Sequence, residues 1–264
     1  MQALIGTVSP WQARIDRARD LAVRHGWAAE LLGFYAELAE RQRSIAGRAL
    51  GSPPKASELP AWVAEHSLPT IVDVAVDQGP RKLADGVLAR LQEASLEKLV
   101  ETWLAGEAQG PIDVFLARAA TAPLLEVLPE LATATGKNAA DDRHCPGCGG
   151  APQLSYFGVS GEVLVTAPRY LQCSRCSQSW VFPRLVCAGC GETDAPRLSI
   201  LADAERLPGV RVDACDTCHG YLLTIELPKD PAAVPLVDEM AALPLDLHAK
   251  ERGLTKITPN LMGF

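Results

Sequence analysis

The chain has 264 residues, 48% hydrophobic and 22% charged, which is globular usage at a length sufficient for one large core or two ordinary ones. No run approaches the roughly 18 to 20 apolar residues a membrane helix needs, and Arg14, Asp16, Arg17 and Asp20 occupy the region where a secretory signal would place its apolar stretch, so a cytoplasmic protein without membrane insertion is expected. Lys plus Arg total 25 against 32 Asp plus Glu, a net charge of −7 with acidic balance on both sides of Ala140, which argues against the basic footprint of a nucleic-acid binder.

Residues 1–140 contain no cysteine and read as an α-helical domain. Ser9-Pro10 predicts an N-cap with proline at the first helical position, and this helix runs to Arg24 before Gly26. Trp27 to Arg48 carries Leu31, Tyr35 and Leu38 on one stripe. Shorter helices follow around Ala61, from Pro69 through Val76, and after Pro80 with Leu83, Val87 and Leu91. Leu96, Leu99, Val100, Trp103 and Leu104 fit the i, i+3, i+4, i+7, i+8 template, with Ser95 as the cap. Ile112 to Leu131 predicts one or two more helices, interrupted by Pro123 and Pro129. The segment from Thr133 to Asp142 has few large apolar residues and reads as a linker.

All eight cysteines then fall in four Cys-x-x-Cys pairs, Cys145/Cys148, Cys173/Cys176, Cys187/Cys190 and Cys215/Cys218. A two-residue gap lets a tight knuckle present two sulfurs to one tetrahedral ion at about 2.3 Å. Each cysteine of the first two pairs recurs 42 residues later, and the short gap between Cys176 and Cys187 marks the boundary of the repeat. The repeat therefore assigns one site to Cys145, Cys148, Cys173 and Cys176 and a second to Cys187, Cys190, Cys215 and Cys218; an interleaved pairing would discard it. Cys145-Pro-Gly-Cys-Gly149 and Cys187-Ala-Gly-Cys-Gly191 carry glycines where the knuckle turns left-handed. Leu154 to Phe157, Glu162 to Thr166, Leu198 to Leu201, Tyr221 to Glu226 and the runs starting at Arg169 and Arg211 read as short strands.

Structural disulfides are disfavoured in a reducing compartment, and a thioredoxin-like dithiol needs one reactive pair in a βαβ setting rather than four paired in ribbons. Four thiolates suit zinc and also a single rubredoxin-type iron, and the ligands alone do not separate the two. Such a closed set leaves no position for water, which argues against hydrolytic metal catalysis. His144 and His219 flank the knuckles but are surplus to two complete sites, and His25, His66 and His248 have no matching partners. Phosphate-loop, G-x-G-x-x-G, nucleophile-elbow and H-E-x-x-H motifs are absent; Gly158-Val-Ser-Gly161 reads as a turn. Beyond the second ribbon, Ala233 to Gly253 reads as helical with Val237, Met240, Ala241 and Leu245 toward a core, and Leu254 to Phe264 as loop.

The pairs named above, together with Asp213-Ala-Cys-Asp-Thr-Cys-His-Gly-Tyr-Leu222, Leu245-Asp-Leu-His-Ala-Lys-Glu-Arg-Gly-Leu254 and Pro259-Asn-Leu-Met-Gly-Phe264, resemble the formate dehydrogenase accessory protein family FdhE. Where members often carry Tyr-Leu-Lys after the last pair, this chain has Tyr221-Leu-Leu223. The resemblance implies an α+β fold: an N-terminal helical domain over 1–140, two tandem rubredoxin-like, zinc-ribbon-like metal-binding β modules over 141–184 and 185–228, and a C-terminal helix and tail over 229–264. It implies a non-enzymatic, cytoplasmic maturation factor that binds the catalytic subunit of a respiratory formate dehydrogenase and is needed for its activity, with two metal ions, iron or zinc, on the eight cysteines. A rubredoxin-like electron carrier is the alternative reading, and a zinc-ribbon nucleic-acid binder a weaker one.

Overall fold

In the computed structural model, which describes residues 10–92, 95–159 and 167–264, apolar stripes and proline punctuation divide the first half into helices α1 (Pro10–Arg24), α2 (Ala29–Gly51), α3 (Leu59–His66), α4 (Leu68–Gln78), α5 (Arg81–Arg90), α6 (Leu96–Ala105), α7 (Pro111–Val127) and α8 (Pro129–Ala134). Proline stands in the first turn of α3, α4, α7 and α8, where its missing N–H has no intrahelical partner to lose. Ser95 caps α6 by accepting from the Lys98 N–H, and Gly106 ends it in the left-handed region at φ 70°. The Ser9 cap expected for α1 lies outside the described residues.

The long α2 runs through the middle of this bundle, packed by α1, α4 and α7. Ile15 and Leu21 from α1, Leu32, Leu38 and Ile45 from α2, and Leu116 and Leu124 from α7 share one buried core. The sequence predicts an interruption at Pro123, yet α7 continues to Val127. A proline at 123 leaves the Ala119 carbonyl without its i+4 donor, and the buried Gln42 side chain supplies one instead, Nε2 to O at 3.0 Å.

The second half builds β1 (Pro152–Phe157), β2 (Arg169–Cys173), β3 (Ser179–Val181), β4 (Leu198–Ala202), β5 (Val210–Cys215) and β6 (Gly220–Glu226), followed by α9 (Pro235–Ala241), α10 (Leu243–Glu251) and β7 (Thr255–Lys256). The two ribbons share one sheet of order β3-β2-β1-β6-β5-β4, antiparallel within each ribbon and parallel where β1 meets β6, Ser155 opposite Thr224. Their hydroxyls meet at 2.6 Å across that seam. Both seam strands are buried almost throughout, as central strands covered on two faces are. β7 also pairs with β6, so part of the tail read as loop is strand. β3 was not read from the sequence, and the strand expected over Glu162 to Thr166 lies outside the described residues.

The expected closing helix is two helices that part at Ala242, ahead of Pro244. Val237, Met240 and Ala241 on α9 join the helical core, whereas Leu245 and Ala249 on α10 pack over Val212, Tyr221, Leu223 and Ile225 of the sheet. The segment read as a linker is tied down in its middle and at its far end: the Lys137 N–H donates to the Cys148 carbonyl at 3.1 Å, Lys137 Nζ to the Ala105 carbonyl at 2.9 Å, and Trp180 Nε1 to the Asp142 carbonyl at 2.8 Å. The helical half and the sheet thus meet through the first knuckle.

Candidate metal centres

Each leading knuckle closes through the same pair of backbone bonds. The Cys145 N–H donates to the Gly150 carbonyl and the Gly149 N–H to the Cys145 carbonyl; 42 residues on, the Cys187 N–H donates to Glu192 and the Gly191 N–H to Cys187, all between 2.8 and 3.0 Å. Gly149 (φ 69°) and Gly191 (φ 80°) occupy the left-handed region that this turn demands. At Gly149 a Cβ would also stand 2.3 Å from the Lys137 carbonyl oxygen, so no larger residue fits without displacing the chain. The trailing pairs begin on the last residues of β2 and β5, Cys173 and Cys215, and continue into the turns beyond them.

These turns bring the cysteines together in the two groups of the repeat: Cys145, Cys148, Cys173 and Cys176 in one, Cys187, Cys190, Cys215 and Cys218 in the other, each with its sulfurs within 4.8 Å of one another. Individual Sγ···Sγ separations are 3.5 to 3.7 Å in the first group, and 3.8 Å (Cys187 to Cys218) and 3.7 Å (Cys190 to Cys215) in the second. A tetrahedral ion with thiolates at about 2.3 Å requires S···S edges of about 3.8 Å. All eight cysteines are free thiols. Both groups therefore could hold a four-thiolate ion. Backbone N–H groups point at the sulfurs as such a site needs, Arg175 to Cys173 Sγ and Gly189 to Cys187 Sγ at 3.3 Å each. Bound there, an ion would tie two turns of each ribbon together, and iron would in addition exchange one electron.

Proton sharing inside the first group pulls its thiols apart. Hydrogen bonds from Cys148, Cys173 and Cys176 hold Cys145 far below the ordinary thiol range, while contact with Cys145 and Cys148 pushes Cys173 and Cys176 up. In the second group burial raises Cys187 and pushes Cys218 up to about 12. Burial also opposes ionisation of Cys215, but the N–H groups of Cys218 and Thr217 together with hydrogen bonds from Cys187 and Cys190 outweigh it and lower that thiol.

The two surroundings differ. The first group is buried throughout and belongs to the helical core. The Arg175 guanidinium faces its sulfurs, lies 5.2 Å over the Trp103 ring, and donates to the Leu104 carbonyl at 3.0 Å and the Thr135 carbonyl at 2.6 Å. Arg118, brought down to about 10 by burial and still cationic at neutral pH, faces Cys173. These cations offset the charge near −2 that four thiolates around a divalent ion retain. The second group has Cys187 and Cys215 buried but Cys190 and Cys218 exposed. There Arg143 reaches over from the first knuckle, Nη1 to the Gly189 carbonyl at 2.7 Å. The roles of Arg118 and Trp103 left no signal in the sequence; Arg175 did, as a cation inside its own Cys-x-x-Cys turn.

Among the described residues neither cluster includes a histidine. His144 instead bonds Asp141 through Nδ1 at 2.7 Å, and His219 adopts φ 54° while its carbonyl accepts from Thr255. No helix among the described residues is long and apolar enough to cross a membrane.

Residues 185–262 match the family described as FdhE, C-terminal domain. A protein named Protein FdhE homolog from Aquifex aeolicus (strain VF5) is 33% identical over 46% of this chain and 42% of its own length. The homolog of the same name from Haemophilus influenzae (strain PittEE) is 27% identical over 93% of this chain and 85% of its own. The Aquifex match thus spans less than half of that relative. In three dimensions the chain matches the crystal structure of the FdhE protein from Pseudomonas aeruginosa with a TM-score of 0.69 at 24% identity, covering 96% of this chain and 95% of that one, a likeness of fold.

Proposed function

From the premise that this chain belongs to the FdhE family, we propose that it is an accessory protein of formate dehydrogenase maturation. In this reading it works in the cytoplasm, binds the catalytic subunit of a respiratory formate dehydrogenase, and is needed for that subunit to become active without being a catalyst itself. Its eight cysteines hold two metal ions, iron of the rubredoxin type or zinc. The observation that carries the reading is the pair of closed four-sulfur cages on a helical scaffold: a cage with no open position binds no substrate, which leaves shape and electron exchange as what it can offer a partner.

The test is capture of the tagged protein from a formate-respiring host under anaerobic conditions. Co-purification of a molybdenum- or tungsten-dependent formate dehydrogenase subunit, together with loss of formate oxidation but not of that polypeptide when the gene is deleted, is the expected result. Full activity in the deletion strain would refute the reading.

The exposure of Cys190 and Cys218 favours a second reading, an electron carrier that contacts its partner at the second site. Iron at that site with reversible one-electron reduction supports it, and zinc at both sites refutes it.

A further inference from the structure

Two cavities on the sheet share Arg184, Leu185, Ile200 and Arg211 and so form one groove. Its wide end, 890 Å³, reaches Phe157, Val159 and Pro228. Its narrow end, 70 Å³, stops against Cys187 at the wall of the second cysteine group. Val159, Leu185 and Ile200 are 62%, 66% and 57% exposed along it. Single aliphatic residues at a surface are ordinary, but several lining one concavity mark a contact surface.

The groove is also cationic within a chain of net charge −7. Among the described residues Arg169, Arg184, Arg211 and Lys229 line it against only Asp213 and Glu226. Both carboxylates are engaged, Asp213 with Arg211 at 2.9 Å and Arg169 at 3.4 Å, and Glu226 with Lys229 at 2.5 Å and Arg211 at 3.7 Å. Arg184 has no carboxylate partner among the described residues; its guanidinium stacks 4.3 Å from the centre of the Phe157 ring, which Arg211 also approaches to 4.8 Å. A guanidinium held on an aromatic ring is positioned in advance for a carboxylate, at lower entropic cost than a free side chain.

We propose that this groove docks an extended polypeptide segment of a partner protein that combines acidic and aliphatic residues, its aliphatic side chains over Leu185 and Ile200 and a carboxylate on Arg184. An extended segment presents alternate side chains to the same face, which lets one strand serve the apolar floor and the cationic rim. The partner's identity rests on the accessory-protein reading, in which the segment belongs to the client subunit; the groove's chemistry does not.

The full metal-loaded chain is titrated against a fluorescein-labelled peptide of alternating glutamate and leucine, and against the same peptide with lysine for glutamate. Anisotropy should report binding of the glutamate peptide only. Arg184→Glu and Ile200→Asp should each weaken it by about tenfold, the scale of a lost interfacial charge or apolar contact. Arg81→Glu on α5, an exposed site outside the groove, should leave it unchanged. Equal binding of both peptides, or wild-type binding by folded, metal-loaded Arg184→Glu and Ile200→Asp, overturns the proposal. So does a wild-type dimer that Ile200→Asp converts to monomer, since a second copy then fills the groove. If wild type captures no formate dehydrogenase subunit while the peptide results hold, the accessory reading fails and the groove stands. If wild type and both variants capture the subunit equally, the groove proposal fails and the accessory reading stands.

Discussion

Gln42 on α2 donates through Nε2 to the Ala119 carbonyl on α7 at 3.0 Å, and that carbonyl is the one Pro123 cannot serve. A buried carbonyl without a donor costs about 1 to 3 kcal/mol, so a side chain from the neighbouring helix is what allows the proline inside α7. Gln42→Leu should lower stability by about that amount. In a Pro123→Ala background the same substitution should cost less, because the backbone N–H restored at position 123 then bonds the Ala119 carbonyl from within the helix. Urea unfolding of the double-mutant cycle measures the difference, and equal costs in both backgrounds would refute the compensation.

The sulfur geometry predicts metal stoichiometry. Cys145→Ser and Cys187→Ser should each retain one ion of two, and the double variant none, by elemental analysis of purified protein. If the first pair instead shared an ion with the third, Cys145 and Cys187 would serve the same site and the double variant would keep one ion.

Release should occur in two phases. The first cage is buried against the helical core, whereas Cys190 and Cys218 open the second to solvent. A chromophoric chelator should therefore remove one ion at least about tenfold faster than the other, since a competing ligand must reach the sulfurs before the ion leaves. The ion that remains longer should be the one lost in Cys145→Ser. A single phase accounting for both ions contradicts this.

Arg175 should matter more to folding than its place in a turn implies. Its two carbonyl bonds and its stack on Trp103 join the first knuckle to α6 and to the segment after α8. Arg175→Met keeps much of the stem and removes the donors, and should cost about 2 to 4 kcal/mol by thermal unfolding with both ions bound. A change below the error of the measurement would show that the contact contributes nothing net.

A buried ionic chain holds the tail. Lys256 on β7 bonds Glu239 on α9 at 2.7 Å and Asp246 on α10 at 3.1 Å; Tyr221 donates to Asp246 at 2.9 Å, and Gln153 links Glu239 to Arg118. Lys256→Met strands two buried carboxylates and should cost about 3 to 5 kcal/mol. Burial raises the Glu239 carboxyl above its ordinary 4.5, against the opposing pull of Lys256. A raised folded value means the contribution of this group is full below pH 4.5 and falls as pH rises through the folded value. The stability of Glu239→Gln relative to wild type should accordingly rise as pH rises above 4.5, and a fall would show the carboxylate held ionised by Lys256.

Short-range features of this protein were legible in the residues because short-range geometry decides them. The two-residue gaps, the glycines after the leading knuckles and the 42-residue repeat already specify which sulfurs can meet, since a knuckle closes within six residues through its own backbone bonds. Helix starts followed from proline and Ser95 for the same reason. The tertiary structure alone decided what depends on segments far apart in the chain. Whether α7 survives Pro123 depends on Gln42, 77 residues away from the carbonyl it serves. The two ribbons become one sheet because β1 and β6 bury both faces and pair in parallel, and Lys256 finds two carboxylates there only once α9 and α10 have folded over that sheet. Identical ligand spacing likewise yields one buried cage and one partly solvent-exposed cage, because exposure is set by what packs against a turn and not by the turn itself.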